Sequence, residues 1–428
     1  MKRWYSWDGR RWAVDHEDRA VREAARDLAR RLPETSDGAK SFKRNSMSAT
    51  GISGAVRVAE TDPAVSIRAA ELDAHPHLLN TPSGVVDLRT ATIRPHDPAL
   101  LITRTTAHPV DLDAPHPMWD RFLNETFNGD PELIAYLQRI AGLALLGTVR
   151  EHILPFLHGI GANGKGVTTL VLQGLLGDAD KGGYAVSAPD GFLMAGRDGA
   201  HPTEIARLRG ARLVVCSEQT SGKRFDETKV KRLTGGDILT GRFMRGDFFD
   251  FPPSHLVLVL SNHLPAVREG GPSFWRRVRR IPFEHVVPDE QQVKDLDEQL
   301  LADEGPAILG WAIRGAVQVL AGGLADPPAV LAATEDYRIS EDTLASFVRD
   351  ECLQGPAWWC TVADLRARYE SHCAEMGAEP LTAKALTLRL TAEYPVSRGK
   401  HPQRKVRTYI GIGLQDMAND DTADGGDR

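Results

Sequence analysis

The apolar positions of the chain change period several times, and each change predicts an element. VDHEDRAVREAARDLARRL carries Val21, Ala24, Ala25 and Leu28 at helical spacing and reads as an amphipathic helix. The stretch from Ser36 to Gly54 is rich in Ser, Gly and Lys and reads as a loop. From His77, HLLNTPSGVVDLRTATIRPHDPALLITRT has short β-prone runs cut by Pro, Gly and Asp turns. MWDRFLNETFNGDPELIAYLQRIAGLALLG, from Met118, keeps helical spacing on both sides of the turn NGDP. Three apolar runs follow, ILPFLHG, Leu213–Cys216 and Leu256–Leu260, each of buried-strand character. After Ala325–Pro328 the spacing is helical again in YRISEDTLASFVRDEC, TVADLRARYESHCAEMG and TAKALTLRLTAEY, and the first two open after residues able to cap. SRGKHPQRKVRTYIGIGL then makes a basic turn before a β-prone end.

Segment boundaries therefore fall at 1–115, 116–150, 151–328 and 329–415, with an Asp- and Gly-rich tail, 416–428, expected to be disordered. The expected fold class is α/β, with a mixed α/β first segment. The aromatics of WYSWDGRRW, near the start, read as core rather than as ligand-binding groups.

Composition narrows this picture. With 428 residues, 42% hydrophobic and 26% charged, the chain has room for a large core and is not fibrous or disordered. No run of about 18 apolar residues occurs, so no membrane contact is expected. The N-terminus lacks the apolar centre of a secretion signal. Cys216, Cys352, Cys360 and Cys373 are widely spaced and form no CxxC pair, which points to a reducing, cytoplasmic compartment rather than to disulfides or zinc. A net charge of -6 argues against a uniformly basic nucleic-acid coat, although local basic patches remain.

The chemistry is concentrated in the third segment. ILPFLHG leads into GIGANGKG, which matches G-x-x-x-x-G-K and is followed by the helical GVTTLVLQGLLG. Glycine frees successive backbone N–H groups to face a phosphate while the helix N-terminus adds favourable potential. The nucleotide-binding set is thus Gly159, Gly161, Ala162, Asn163, Gly164, Lys165, Gly166, Val167 and Thr168, with Lys165 reaching the β- and γ-phosphates of ATP. Glu218 ends the second run and can activate water beside the γ-phosphate; a solvated strand-end glutamate is the plain alternative. Asn262 ends the third and can hold that water or sense the phosphate; asparagine also commonly closes a turn. Together the three are more specific than any one, because ligands of open parallel sheets sit outside the carboxyl ends of strands.

GIGANGKG, LRGARLVVCSE, VKRLTGGDILTGRF, LVLSNHLP and FWRRVRRIPF, in this order and spacing, resemble the superfamily 3 helicase domain of phage and plasmid primase-helicases, related to the poxvirus one. LLNTPSGVVDLRTATIRPHDP and the helices before the glycine loop are similar to that family's N-terminal helicase-associated region. The resemblance implies an AAA+-like P-loop ATPase core over 151–328, ATP and Mg2+ as cofactors, and a homo-oligomeric, hexameric ring unwinding DNA for a phage, prophage or plasmid. It also implies that WRRVRRIPF supplies an arginine to the neighbouring subunit's ATP, Arg277 first and Arg276 next; a phosphate-binding basic patch is the competing reading. Polymerase-type primase domains often precede such helicases, and the chain leaves no space for one, so a separate primase partner or a fragment is expected.

Two departures stand out. Gly166 replaces the hydroxyl that normally holds magnesium, and Ser217 precedes Glu218 where many ATPases have aspartate. Thr168 lies on nearly the opposite face of the helix from Gly166 and Thr169 about a turn deeper, so neither is an obvious substitute. Magnesium would then be held through the nucleotide, water and Glu218. An idle ATP- and DNA-binding loader or origin platform is the alternative function. A small-molecule P-loop kinase is more distant, because LTGGD and the basic C-terminal turn do not fit it.

Two DNA contacts are expected. ILTGRFMRGDFFDF suits a hairpin turning at Arg245–Asp247 and carrying Arg242 and Arg245 toward single-stranded DNA, with Lys229 adding charge nearby; a surface turn fits the same pattern. The C-terminal helices and basic turn match a winged helix over 329–415. Its Arg398, Lys400, Arg404, Lys405 and Arg407 would neutralise duplex or forked DNA phosphates, or else form a protein-docking wing.

Overall fold

The computed structural model describes residues 3–196, 202–218, 222–267, 270–376, 378, 380–400 and 406–415. They form two compact units, 1–265 with 276–331, and 266–275 with 332–428.

The first unit opens with the antiparallel hairpin β1 (Tyr5–Trp7) and β2 (Trp12–Val14), turned by Asp8, whose carboxylate accepts from the N–H of Arg10 and Arg11. Trp7 and Trp12 are half-buried with ring centres 5.9 Å apart, so these aromatics pack on each other rather than filling the core. Helices α1 (Arg19–Arg30), α2 (Asp37–Ser46) and α3 (Ala49–Ala59) follow.

Two expectations are corrected here. Helix α1 buries Ala29 and half-buries Val21 and Ala25, but exposes Ala24 and leaves Leu28 68% exposed, so only half of the stripe read from spacing faces inward. The Ser/Gly-rich stretch is helical. Ser36 and Ser48 are N-caps that accept from the N–H of Ala39 and Gly51. Gly51 permits close approach, since a Cβ there would lie 2.3 Å from the Asn45 carbonyl oxygen.

The expected short strands form the antiparallel meander β3 (Leu78–Thr81), β4 (Gly84–Asp87) and β5 (Thr92–Arg94). Helices α4 (Pro117–Thr126) and α5 (Pro131–Leu143) flank the NGDP turn, where Asn128 and Gly129 have positive φ and Asp130 caps α5.

The centre of the unit is a five-stranded parallel sheet. Its first strand, β6 (Leu154–His158), runs into α6 (Lys165–Leu176). Then come β7 (Ala185–Ser187), α7 (Pro202–Ala206), β8 (Leu213–Glu218) and α8 (Glu227–Leu233). A two-stranded antiparallel hairpin, β9 (Leu239–Arg242) and β10 (Phe248–Phe251), precedes β11 (Leu256–Ser261). The last strand of the sheet, β12 (Val278–Pro282), and the long α10 (Leu296–Gly322) complete the unit. Strand order is β12-β6-β11-β8-β7.

Strands β6, β8 and β11 are almost wholly buried, which is why they read as continuous apolar runs rather than alternating ones. Leu157, Val215, Leu258 and Ile281 share one core with Val171 and Leu175 of α6, Leu137 and Ile140 of α5, and Ile308 and Ile313 of α10. Gly142 of α5 lets α10 close in: a Cβ there would lie 2.0 Å from the backbone nitrogen of Ala316. The meander is fastened to the sheet by Arg212, buried 4.6 Å from the Tyr184 ring and donating to the carbonyls of Leu78 and Leu145.

The second unit contains the short α9 (Pro272–Trp275), and Trp275 meets Tyr337 of α11 (Pro328–Glu341) edge-on at 5.2 Å. Beyond it run α12 (Thr343–Glu351), β13 (Cys352–Thr361), α13 (Val362–Glu375), α14 (Ala383–Glu393), β14 (Ser397–Lys400) and β15 (Arg407–Leu414). The antiparallel sheet has order β13-β15-β14 and covers a core of Leu344, Phe347, Leu365, Tyr369, Leu386, Leu390 and Ile412.

The helix expected over YRISEDTLASFVRDEC is broken at Asp342, whose carboxylate accepts from the N–H of Leu344 and Ala345 and restarts the chain as α12. Strand β13 was not foreseen, because Gly355 and Pro356 interrupt its pattern and its register shifts between Gln354 and Trp359. Arg404, Lys405 and the tail 416–428 lie outside the described residues. The four cysteines are free and buried, and no described helix is long and apolar enough to cross a membrane.

Candidate nucleotide and nucleic-acid sites

The glycine loop joins β6 to α6. Gly159 is required by crowding, since a Cβ would meet Asn163 Nδ2 and the Phe283 carbonyl oxygen at 2.1 Å each. Gly164 caps α6 with φ +82°, left-handed backbone that suits glycine. Lys165 Nζ donates to the Gly159 carbonyl at 2.7 Å and to Asn163 Oδ1 at 2.8 Å, while Asn163 Nδ2 donates to the Phe283 carbonyl at 2.8 Å. Asn163 therefore ties the lysine to the chain just beyond β12. Lys165 is buried, and burial lowers its ammonium to about 8.

Gly166 is the second residue of α6, and a Cβ there would meet nothing within 4 Å. The hydroxyls of Thr168 and Thr169 are buried and turned back into the helix, onto the carbonyls of Gly164 at 2.9 Å and of Gly166 at 2.9 Å. Neither stands in for the missing hydroxyl.

Parallel register sets the strand tips level. Ser261 of β11 pairs with His158 of β6 on one side and Glu218 of β8 on the other, and Pro282 of β12 also pairs with His158. Gly159 and Asn262 are each one residue beyond these paired tips. Glu218 is buried, and its Oε1 has no hydrogen-bond partner among the described residues. Burial raises its carboxyl, opposed by the backbone N–H groups of Leu193 and Gly191 that face it. Ser261 Oγ donates to the Glu218 carbonyl and accepts from the His263 N–H at 3.1 Å. That contact fixes the turn carrying Asn262, whose side chain is exposed.

One polar pair was missed in the sequence. Arg280 Nη2 lies 3.1 Å from His158 Nδ1. A guanidinium only donates, so Nδ1 accepts and the ring is the neutral Nε2–H tautomer. Burial first, then Arg280, pushes His158 down to about 4. The register of β6 and β12 brings the two together, and that pairing is invisible to spacing along the chain.

No cluster of three His, Cys, Asp or Glu suited to a metal ion occurs among the described residues. The orphaned Glu218 Oε1 and the open space beside Gly166 nevertheless fit a magnesium ion held mainly by phosphate and water.

The two candidate finger arginines differ sharply. Arg277 is 8% exposed and donates through Nε to Thr234 Oγ1 at 3.1 Å, whereas Arg276 is exposed. Accessibility thus runs opposite to the order expected from sequence.

Hairpin β9–β10 forms where expected, but its turn begins two residues earlier: the Gly246 N–H donates to the Phe243 carbonyl at 3.0 Å, with Arg245 at φ +58°. Arg242 and Arg245 are exposed, as are Met244 (76%) and Phe248 (59%), and the Arg242 guanidinium lies 4.7 Å over the Phe248 ring. Lys229 is instead half-buried, 3.8 Å above the Phe192 ring, so it is not displayed with them. In the second unit Lys400 pairs across strands with Arg407, and Arg398 reaches Thr387 of α14 at 3.3 Å. Three like charges thus share one small exposed face.

Residues 1–128 match the family model described as "D5 N terminal like". The chain is 30% identical over 240 residues to "Putative helicase 184R" of Invertebrate iridescent virus 6, covering 54% of this chain and 24% of that protein. It is 28% identical over 228 residues to "Putative helicase L207/L206" of Acanthamoeba polyphaga mimivirus, covering 50% and 22%. It is 23% identical over 315 residues to "Putative primase C962R" of African swine fever virus, covering 67% and 32%. The chain thus spans about a quarter to a third of the length of these viral relatives. Among solved structures, the apo C-terminal region of NrS-1 aligns over 73% of this chain and 80% of its own at a TM-score of 0.44 and 12% identity. The chain is thus similar over residues 1–128 to the D5 N terminal like family, and over half to two thirds of its length to viral proteins named as putative helicases and a putative primase.

Proposed function

We propose that the chain is an ATP-dependent DNA helicase of a replication system, with an AAA+-like core of the superfamily 3 type and a C-terminal winged helix. The observation that carries this reading is the level register of His158, Ser261 and Glu218, beside a glycine loop that presents Lys165. Lys165 and the N–H groups at the start of α6 would bind the triphosphate, with Asn163 and Phe283 as their frame. Glu218 would accept a proton from the attacking water, and burial, by raising its carboxyl, makes it a stronger base. Asn262 would orient that water. Bound magnesium, held by phosphate, water and Glu218, would neutralise charge developing on the phosphates.

Arg276, exposed on a buried neighbour, is the better candidate to reach ATP on an adjacent subunit of a hexameric ring. The hairpin arginines, with Met244 and Phe248, suit single-stranded DNA, whose phosphates need cations and whose bases stack on apolar surface. The order helix, strand, helix, helix, strand, strand in the second unit supports the winged helix, with duplex or forked DNA on Arg398, Lys400 and Arg407.

A second reading, an ATP- and DNA-binding platform with little turnover, is favoured by Gly166 and by the inward hydroxyls of Thr168 and Thr169. Measuring ATP turnover and forked-duplex unwinding against magnesium, with Lys165→Ala as the zero, separates the two. Lysine-dependent turnover and strand separation support the motor; ATP and DNA binding without either supports the platform.

A further inference from the structure

The LTGGD block, 233–237, lies between the second and third site motifs. Thr234 of that block is buried at the end of α8. Its hydroxyl proton goes to the Val230 carbonyl at 2.7 Å, which leaves Oγ1 lone pairs for one donor, and Arg277 Nε takes them at 3.1 Å. Burial lowers the Arg277 guanidinium most, neighbouring Arg276 adds to that, and Asp237, also of the block, opposes both. The Arg277 carbonyl in turn accepts from the Leu154 N–H at 2.7 Å, where β6 begins.

On its other side Arg276 is held by Arg279, whose Nη1 donates to the Arg276 carbonyl at 2.9 Å while Nε bridges Asp326 at 2.7 Å. Asp326 also accepts from the Tyr136 hydroxyl at 2.8 Å. The backbone of Arg276 is thereby held between buried Arg277 and half-buried Arg279, and its side chain is exposed. A lone exposed arginine would lose much orientation to side-chain entropy.

We propose that Thr234 is a positioning residue: through buried Arg277 it aims Arg276 at the ATP of the neighbouring subunit. The same block runs directly into hairpin β9–β10, so a pull on the hairpin reaches Arg276 through one hydrogen bond. This inference rests on the helicase reading above, in which Arg276 acts in trans.

The test uses mixed full-length subunits. A Lys165→Ala subunit cannot turn over its own ATP but keeps Arg276; an Arg276→Ala subunit has an intact site but no finger. Mixed together they should recover turnover that neither shows alone, by tenfold or more. Placing Thr234→Val in the Lys165→Ala donor should abolish that recovery, and Thr234→Ser in the same donor should restore it. Because the donor's own site is already dead, damage to that site cannot imitate the effect, and native gel migration of labelled subunits checks that mixed assemblies form.

Full recovery with the Thr234→Val donor would overturn the role of Thr234 and leave the trans arginine standing. Failure of the first mixture, with mixed assemblies present, would overturn both. If Thr234→Val prevents assembly, Arg277→Lys in the donor takes its place, since it keeps charge but cannot donate through Nε, and the same two outcomes apply.

Discussion

Replacing Gly166 with serine restores the hydroxyl that magnesium usually meets after the loop lysine, and the local structure defines what should happen. Gly166 is the second residue of α6, and outside its own helix backbone no described atom lies within 4 Å of where a Cβ would stand, so serine enters without displacing a described neighbour. Serine is about 0.5 kcal/mol better than glycine in a helix, so the fold should gain slightly rather than lose. If the hydroxyl replaces one water on the metal for a net gain of about 1.4 kcal/mol, half-maximal turnover should need roughly tenfold less magnesium. The assay is steady-state ATP turnover at saturating ATP across a magnesium series, with Lys165→Ala defining background. An unchanged magnesium requirement in a Gly166→Ser protein that still binds ATP would refute the placement of the metal beside α6.

Three further outcomes follow from the same geometry. Asn163→Ala leaves the Phe283 carbonyl without its donor and Lys165 with one acceptor fewer, all in buried surroundings. A loss of about 3 kcal/mol in urea unfolding is expected, partly recovered by added ATP, and a change under about 0.5 kcal/mol would contradict the role of Asn163 as frame. His255 is fully buried and lowered to about 4 by burial, below its unfolded value near 6.5. The unfolded chain therefore binds the extra proton between these values. The contribution of neutral His255 is complete above about 6.5 and falls by about 3 kcal/mol as the pH drops toward 4. His255→Leu should flatten that slope in thermal melts, and an unaltered slope would count against it. At the hairpin, Arg242→Ala and Arg245→Ala should each reduce the salt dependence of single-strand binding by about 0.7 in log–log slope, if each meets one phosphate. Equal slopes in variant and parent would remove the hairpin from the interface.

Much of the site was legible because its signals are local. The glycine loop between an apolar strand and a helix, and the strand-end Glu218 and Asn262, can be read from runs of neighbouring residues. Their convergence depends on strand order, which spacing alone does not specify; the order β12-β6-β11-β8-β7 is what aligns His158, Ser261 and Glu218. The pair of His158 with Arg280 was hidden for the same reason, since its partners are 122 residues apart.

Burial was the weakest inference. Arg276 and Arg277 are neighbours in one basic run, yet Arg277 is buried with its Nε on Thr234 while Arg276 is exposed. Lys229 is likewise drawn over Phe192. Among elements, serines in the second and third helices read as loop residues because capping and looping use the same residue types, and β13 was lost because a bulged strand containing Gly355 and Pro356 has no clean alternation.

The central claim, that one triphosphate is gathered by three strand tips and the loop lysine, is tested most directly by an experimental structure with a non-hydrolysable ATP analogue and magnesium. The account predicts Lys165 Nζ released from Gly159 onto the β- and γ-phosphates, with Glu218 and Asn262 on the γ-phosphate side of the same nucleotide. A nucleotide bound elsewhere, or phosphates that leave Lys165 on Gly159 and Asn163 with Glu218 and Asn262 facing away, would contradict it.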